Sequence, residues 1–381
     1  MSSSAYIVGT GLTPFGDLSP ATTLDLMSRA AQAALDDAGL ERGAIDGLLV
    51  GYSTTFPHLM LSTAFAEHFG LAPGYAHGLQ LGGATGLAML AAARHLVVAG
   101  AARRILVVAG ENRRSGQSSD QTISTLAQVG DAAHEVPNGG TVPAYYALVA
   151  ERYLHETGCS EADLAELVVL MRRHAAAYPG AHYPEPVTVE EVLASRPIAT
   201  PLKRLDCCPI SDGAAALVVS AEPGPVPVRI AGTGQAHTHL SLMHAPDDIG
   251  AGARRAAAAA FAQAGRGPAD VRLIGIYDSF SVTLAILLEA CGFAAPGGSA
   301  EAVRAGRFGL DGPQPLNPHG GLLAYGHSGV AGGMAHAVEA ARQMAGRSPT
   351  RAVADPACAF VHADGGVLSS HVSLVLERGT A

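Results

Sequence analysis

The chain has no tryptophan, only five cysteines and little charge: aromatic residues make up 5% and Asp, Glu, Lys and Arg together 15% of its 381 residues. Each shortage excludes something. Cys159, Cys207, Cys208, Cys291 and Cys358 fall at irregular spacing, which gives neither a disulfide framework nor a zinc pattern and points to the reducing cytoplasm. No basic run occurs and the net charge is −9, which argues against a nucleic-acid binder. The one long apolar segment, Gly78 to Gly110, is broken by Arg94, His95, Arg103 and Arg104, so it reads as buried helix, turn and strand rather than a membrane span. Met1 to Ser4 leads straight into a strand-like Tyr6-Ile7-Val8, with neither the cationic nor the apolar region of a signal peptide. Gly9-Thr10-Gly11 lacks the third glycine of a dinucleotide fingerprint, and no Gly-Lys-Ser/Thr loop occurs. His237, His239 and His244, with Asp247 and Asp248, have no helical motif to fix them, so no metal site is expected.

What is abundant is apolar surface and glycine. The chain is 48% hydrophobic with 46 glycines, which suits a compact α/β protein with a large core. It is also written twice. Tyr6-Ile7-Val8-Gly9-Thr10-Gly11 returns as Val228-Arg229-Ile230-Ala231-Gly232-Thr233-Gly234. The amphipathic pattern Ser28 to Gly39 returns as Arg255 to Gly265, and the apolar run Ala44 to Tyr52 as Asp270 to Tyr277. Gly82-Gly83-Ala84-Thr85-Gly86 opens an Ala-rich helical pattern, as Gly326 to Gly333 does later. Ser211 to Ser220 is mirrored by Asp364 to Leu376. The pattern predicts two α/β units, 1–224 and 225–381, each a mostly parallel sheet covered by helices. An excursion at 112–202 has no later counterpart; it holds helical patterns near Tyr145–His155 and Glu161–Ala177 and reads as a cover over a site or partner face.

The stretch Asn317 to Met334 packs glycines around His319 and His327. Glycine permits positive φ and close approach of main chain to a ligand, and a histidine held there can act as base or oxyanion donor.

Four blocks in order on this duplicated pattern resemble the thiolase superfamily, above all its sterol-carrier-protein-type and lipid-transfer-protein-type members, over essentially the full length. They are Gly83-Ala84-Thr85-Gly86, Asp206 to Ala215, Tyr277-Asp278-Ser279-Phe280, and Asn317 to Gly333. The resemblance implies a five-layered αβαβα fold of two thiolase halves with a loop-domain insertion, a homodimer, and a coenzyme A thioester as substrate. It implies no tightly bound cofactor. Gly83 stands where a thiolase has its nucleophilic cysteine, and Ser279 where the sterol-carrier branch has its second one. Tyr277 replaces a histidine of that branch, while the imidazole of the Gly-His-Pro block survives as His327 in Gly326-His327-Ser328.

Glycine cannot form an acyl-enzyme, so two-step thiolysis is not expected. A retro-aldol or aldol reaction of a 3-hydroxyacyl-CoA needs only a base and donors for a thioester enolate. His327 and Tyr277 are the main candidates, with His362 as a third and Asp278 as a carboxylate that orients the helix after it. Asn317, His319, Gly320, Gly321 and Gly326 are the candidate substrate-facing residues. The lipid-transfer-type members that cleave steroid side chains are aldolases lacking the cysteine, though they often carry tyrosine where His327 stands; such members commonly pair with a small zinc-ribbon/OB-fold protein, and the resemblance implies a partner of that kind here. Two alternatives stand beside this reading: acyl transfer through an unorthodox nucleophile such as Cys358, and a non-catalytic subunit that binds acyl-CoA.

Overall fold

The structure is a computed structural model that describes residues 4–350 and 352–379. Its strands are β1 (Tyr6–Leu12), β2 (Gly47–Gly51), β3 (Tyr75–Leu79), β4 (Arg104–Asn112), β5 (Pro197–Ala199), β6 (Leu202–Lys203), β7 (Asp212–Ser220), β8 (Val228–His237), β9 (Leu273–Ile276), β10 (Cys358–Gly365) and β11 (Ser370–Arg378). All but the small β5–β6 pair are joined in the order β3-β2-β4-β7-β1-β8-β11-β10-β9. Read outward from the β1–β8 seam, the two halves have the same order, and the seam itself is only Tyr6↔Arg229 and Ile7↔Val228. The counterpart of β3 has shrunk to a single parallel bridge, Ile274↔Leu316. The duplication read from the sequence is the plan of the fold.

The expectation of mostly parallel sheets is corrected. β3, β2 and β4 run parallel, as do β9 and β10, but each half closes with a strand antiparallel to both neighbours. The cause is a connection that leaves and returns at the same end of the sheet. Gly365↔Ser370 closes a tight hairpin in the second half, and at the equivalent place Asn112↔Asp212 brackets the whole excursion. Asp364 therefore stands next to last in β10, as Glu111 does in β4, and the mirror of Ser211 to Ser220 is β11 alone.

Alternation along the strands splits the core. In β4, Leu106 and Val108 face an outer layer made by helices Thr23–Ala38 and Leu61–Phe69; Ile105, Val107 and Ala109 face inward. The inner layer is helices Thr85–Val98 and Val330–Met344, which touch strands of both halves and are buried nearly all round. They meet at glycine: a Cβ on Gly86 would lie 2.3 Å from Met334 Cγ, and one on Gly333 2.8 Å from the Gly83 carbonyl. With helix Ala251–Ala264 on the far face of β8 and β11, the order is αβαβα. Among the described residues no helix is long and apolar enough to cross a membrane.

The repeated Gly-x-Gly is a packing device. A Cβ on Gly9 or Gly11 would stand 2.1 or 1.9 Å from a carbonyl of the Thr23–Ala38 helix, and on Gly232 or Gly234 2.1 or 2.0 Å from one of the Ala251–Ala264 helix. The threonine between them anchors that helix: Thr10 donates its N–H and hydroxyl to Asp37 (2.8 and 2.9 Å), and Thr233 donates the same groups to Gln263 (2.7 and 3.2 Å). Gly11→Ala and Gly234→Ala should each cost about 1–3 kcal/mol by overpacking. Gly43→Ala, where a Cβ meets nothing within 4 Å, should stay within about 0.5 kcal/mol of wild type in denaturant titrations.

Candidate active site

A cavity of about 220 Å³ opens where the ends of β4, β9 and β10 meet the starts of the two central helices. One wall is catalytic in character: Gly82, Gly83, Tyr277, Ser279, His327, Asp364, Gly365 and Gly366. The excursion supplies an apolar cover of Leu126, Val129, Val142 and Pro143, together with Tyr146. Glu111 and Arg113 complete the lining on the β4 side.

Tyr277 is the centre of the site. Its Oη lies 2.8 Å from His327 Nε2, with the two rings edge to face at 87°. The backbone N–H of Tyr277 donates to the His362 carbonyl, which fixes the residue at the end of β9. A Cβ built on Gly83 would fall 2.3 Å from Tyr277 Oη and 2.6 Å from Cζ. The phenol thus occupies the volume that any side chain at position 83 needs. The hydroxyl stands beside the start of the Thr85–Val98 helix, where the positive end of the helix dipole favours developing negative charge.

Burial sets the charge state of these groups. It lowers His327 to about 3, helped by the nearby Arg113 cation, so the imidazole is neutral at physiological pH. Burial, then the Asp364 charge, raises the Tyr277 phenol well above its ordinary value. Asp364 is pushed up to about 7 by burial, although Tyr146 Oη donates to its Oδ2 (3.0 Å) and the Leu368 N–H lies 3.3 Å from the same oxygen. Asp364 Oδ1 has no hydrogen-bond partner. A carboxyl poised at neutrality beside two neutral donors is the arrangement that proton abstraction next to a thioester requires.

The other residues expected from the sequence lie outside the cavity lining. Asp278 is fully buried behind it and accepts from Leu322 N–H (2.7 Å) and Leu323 N–H (3.2 Å), so it anchors the short Gly321–Ala324 helix. Its other neighbour is His336, 3.5 Å away. His362 turns into the core against Ser373 Oγ (2.8 Å) and His371 (3.3 Å). Asn317 extends the edge of β9, accepting from Ile276 N–H and donating to its carbonyl, both at 2.8 Å. His319 is buried among Tyr178, Tyr325 and His336. Gly320 lies against Ala175, Gly321 against Asp278 and Gly326 against Ser211, each too close for a side chain. The glycine-rich stretch seats His327 by this packing, and of the stretch only His327 and Gly329 line the cavity.

Asp364, Tyr146, Glu111 and Arg113 were missed as site residues. Cys207 and Cys208 line the cavity, but burial raises both thiols, Cys207 to about 12. Cys358 lies at the other end of β10, outside the cavity, and burial lifts its thiol to about 11. His237 and His239 are bound to Ser370 Oγ and the Val367 carbonyl, and among the described residues no three His, Cys, Asp or Glu converge as metal ligands.

Comparison with known proteins bears on this geometry. The family model "Thiolase, N-terminal domain" matches residues 5–223, and "Thiolase C-terminal domain-like" matches 234–378. The chain belongs to the thiolase family. This thiolase-family chain is 32% identical over 369 residues to an acetyl-CoA acetyltransferase of Methanothermobacter thermautotrophicus, covering 94% of this chain and 96% of that one. It is 32% identical over 396 residues to a steroid side-chain-cleaving aldolase of Thermomonospora curvata, covering 98% of each. The solved "Ltp2-ChsH2(DUF35) aldolase" superposes with a TM-score of 0.85 at 31% identity, over 99% of this chain and 98% of that one.

Placing a thiol at position 83 should therefore fail for steric reasons. Gly83→Cys is expected to lower stability by about 1–3 kcal/mol. In combination with Tyr277→Ala, which removes the phenol but leaves the Asp364 carbonyl 2.5 Å from that Cβ, the loss should fall short of the sum of the single losses. Thermal denaturation of the four proteins of this cycle measures the coupling.

Proposed function

We propose that this thiolase-family enzyme cleaves 3-hydroxyacyl-CoA thioesters between Cα and Cβ by a retro-aldol reaction that forms no acyl-enzyme. The observation that carries the reading is the Tyr277 hydroxyl in the place of the nucleophile, hydrogen-bonded to His327 and sharing a cavity with Asp364. The Asp364 carboxylate takes the proton of the substrate's β-hydroxyl. The O–H electrons form a carbonyl at Cβ, the Cα–Cβ bond breaks, and its electrons generate a thioester enolate. With the proton on Nε2, His327 donates to the phenol oxygen of Tyr277 and leaves the phenol O–H free to donate to the enolate oxygen. Neutral donors serve an oxyanion well in a dry site. Asp364 then returns its proton to Cα, which releases the shortened acyl-CoA.

A Schiff-base route has no support in the residues. The chain's only lysine, Lys203, is ion-paired with Glu161 and lies outside the cavity. A cysteine route is disfavoured by the raised thiols of Cys207, Cys208 and Cys358.

The assembly we infer is a homodimer through β3, an edge strand with no partner on its outer side, flanked by the exposed Leu59 and Met60. A zinc-ribbon/OB-fold partner is supported by the solved aldolase whose description joins it to DUF35. Light scattering should give twice the chain mass for the isolated protein; a monomer overturns the dimer.

Incubation with 3-hydroxyacyl-CoA thioesters should yield a carbonyl compound and a shortened acyl-CoA with no protein adduct in the mass spectrum; an acyl adduct on cysteine would sink the lyase. Below neutrality kcat/KM should rise about tenfold per pH unit and level off above about 7, because the base works as the carboxylate. Asp364→Asn should lose about 100-fold or more and the pH dependence with it. His327→Ala and Tyr277→Phe should each lower kcat by about 100-fold.

A further inference from the structure

The retro-aldol reading leaves one group in the cavity without a task. Arg113 follows β4, is 4% exposed, and lines the same cavity as Tyr277 and His327. Its Nε and Nη2 have no hydrogen-bond partner. The nearest counter-charge is Glu111 Oε2, 3.5 Å from Nε, and that oxygen also lacks a hydrogen bond. The other Glu111 oxygen accepts the Thr54 N–H, and Oε2 is pressed against Gly329, where a Cβ would stand 2.2 Å away. The carboxylate is therefore held in place and cannot swing to close the gap. A buried guanidinium with idle N–H donors is costly unless something else accepts from it.

We propose that Arg113 binds an oxygen on the acyl chain of the substrate beyond Cβ, and that this oxygen belongs to a neutral ketone or hydroxyl. The inference takes from the reading above only that the ligand is an acyl-CoA. Three features define the ligand. The cation is already balanced by Glu111, so a carboxylate would be bound against a fixed like charge. Glu111 Oε2 and the guanidinium together offer an acceptor beside donors, which suits a hydroxyl, while the donors alone suit a ketone. The side of the wall built by Leu126, Val129, Val142 and Phe280 is apolar, so the acyl group is hydrocarbon where it faces them, while Thr54 and Tyr52 stand with Arg113 and Glu111 on the polar side. A site built to hydrogen-bond one oxygen rejects the analogue that lacks it far more strongly than an apolar pocket rejects an extra methylene.

The test measures binding rather than turnover. Octanoyl-CoA lacks the β-hydroxyl and is not a retro-aldol substrate, so its affinity is read by calorimetry whether or not the enzyme is a lyase. It is compared with analogues that carry a single ketone or hydroxyl at each carbon beyond Cβ in turn, and with one ending in a carboxylate. Wild type should bind the analogue with the oxygen at the matching carbon about 10- to 100-fold tighter than octanoyl-CoA. Arg113→Met should erase that preference. Should removal of one charge unfold the protein, the pair Glu111→Gln/Arg113→Met removes both and should erase it too. The inference is overturned if wild type binds every analogue as it binds octanoyl-CoA, if the preference survives in either variant, or if the carboxylate binds tightest. No binding of any thioester overturns the acyl-CoA reading along with it.

Discussion

Close approach of main chain at glycine is the constraint on which this structure rests. Gly86 lies against the Met334 side chain and Gly333 against the Gly83 carbonyl, so the two central helices approach more closely than side chains on both would allow. Their spacing fixes the separation of the two half-sheets, and so the volume left where their strand ends converge. The same device seats the outer helices at Gly9, Gly11, Gly232 and Gly234. A chain with 15% charged residues and no tryptophan gains its cohesion by packing small residues tightly rather than by large aromatic anchors.

This explains how much of the molecule was legible in its sequence. Glycines that permit backbone contact leave a pattern visible in one dimension, and the duplicated Gly-x-Gly, the paired helices and the glycine-rich stretch around His327 were read from it. Tyr277 and His327, chosen because both stand in blocks that carry the resemblance, line one cavity and share a hydrogen bond. Asp364 was quoted within a block but not chosen: its importance depends on burial, on Tyr146 from 218 positions away, and on an oxygen left without a partner. Arg113 lies at the edge of an excursion that was read as a cover, and nothing local distinguishes it from the surface arginine beside it. His362 and Asp278 were chosen from sequence, yet one turns toward Ser373 and the other ties down a helix. Strand parity and local proximity did not say which side of the sheet end was hollow.

Electrostatics divides the cavity into two parts. Around Tyr277 the groups are neutral at physiological pH or, for Asp364, poised to change, because burial in that wall penalises their charged forms. On the β4 side the charges are fixed and opposed, Arg113 to Glu111. The first environment suits moving a proton; the second suits holding a ligand. The excursion makes both possible, because its apolar residues keep water from the wall they face.

The register of the two closing strands has one more consequence. Because Asn112 pairs with Asp212 and Gly365 with Ser370, Glu111 and Asp364 occupy the same position in the two halves of the duplicated chain. Both carboxylates enter one cavity from opposite copies of an ancestral unit. One has an arginine two residues on, whose Nε lies 3.5 Å from it; the other has two glycines after it, Gly365 and Gly366, and burial pushes it up to about 7. The backbone repeats but the surroundings of the two acids do not, so one end of the cavity pairs its carboxylate with a cation and the other sets it against glycine.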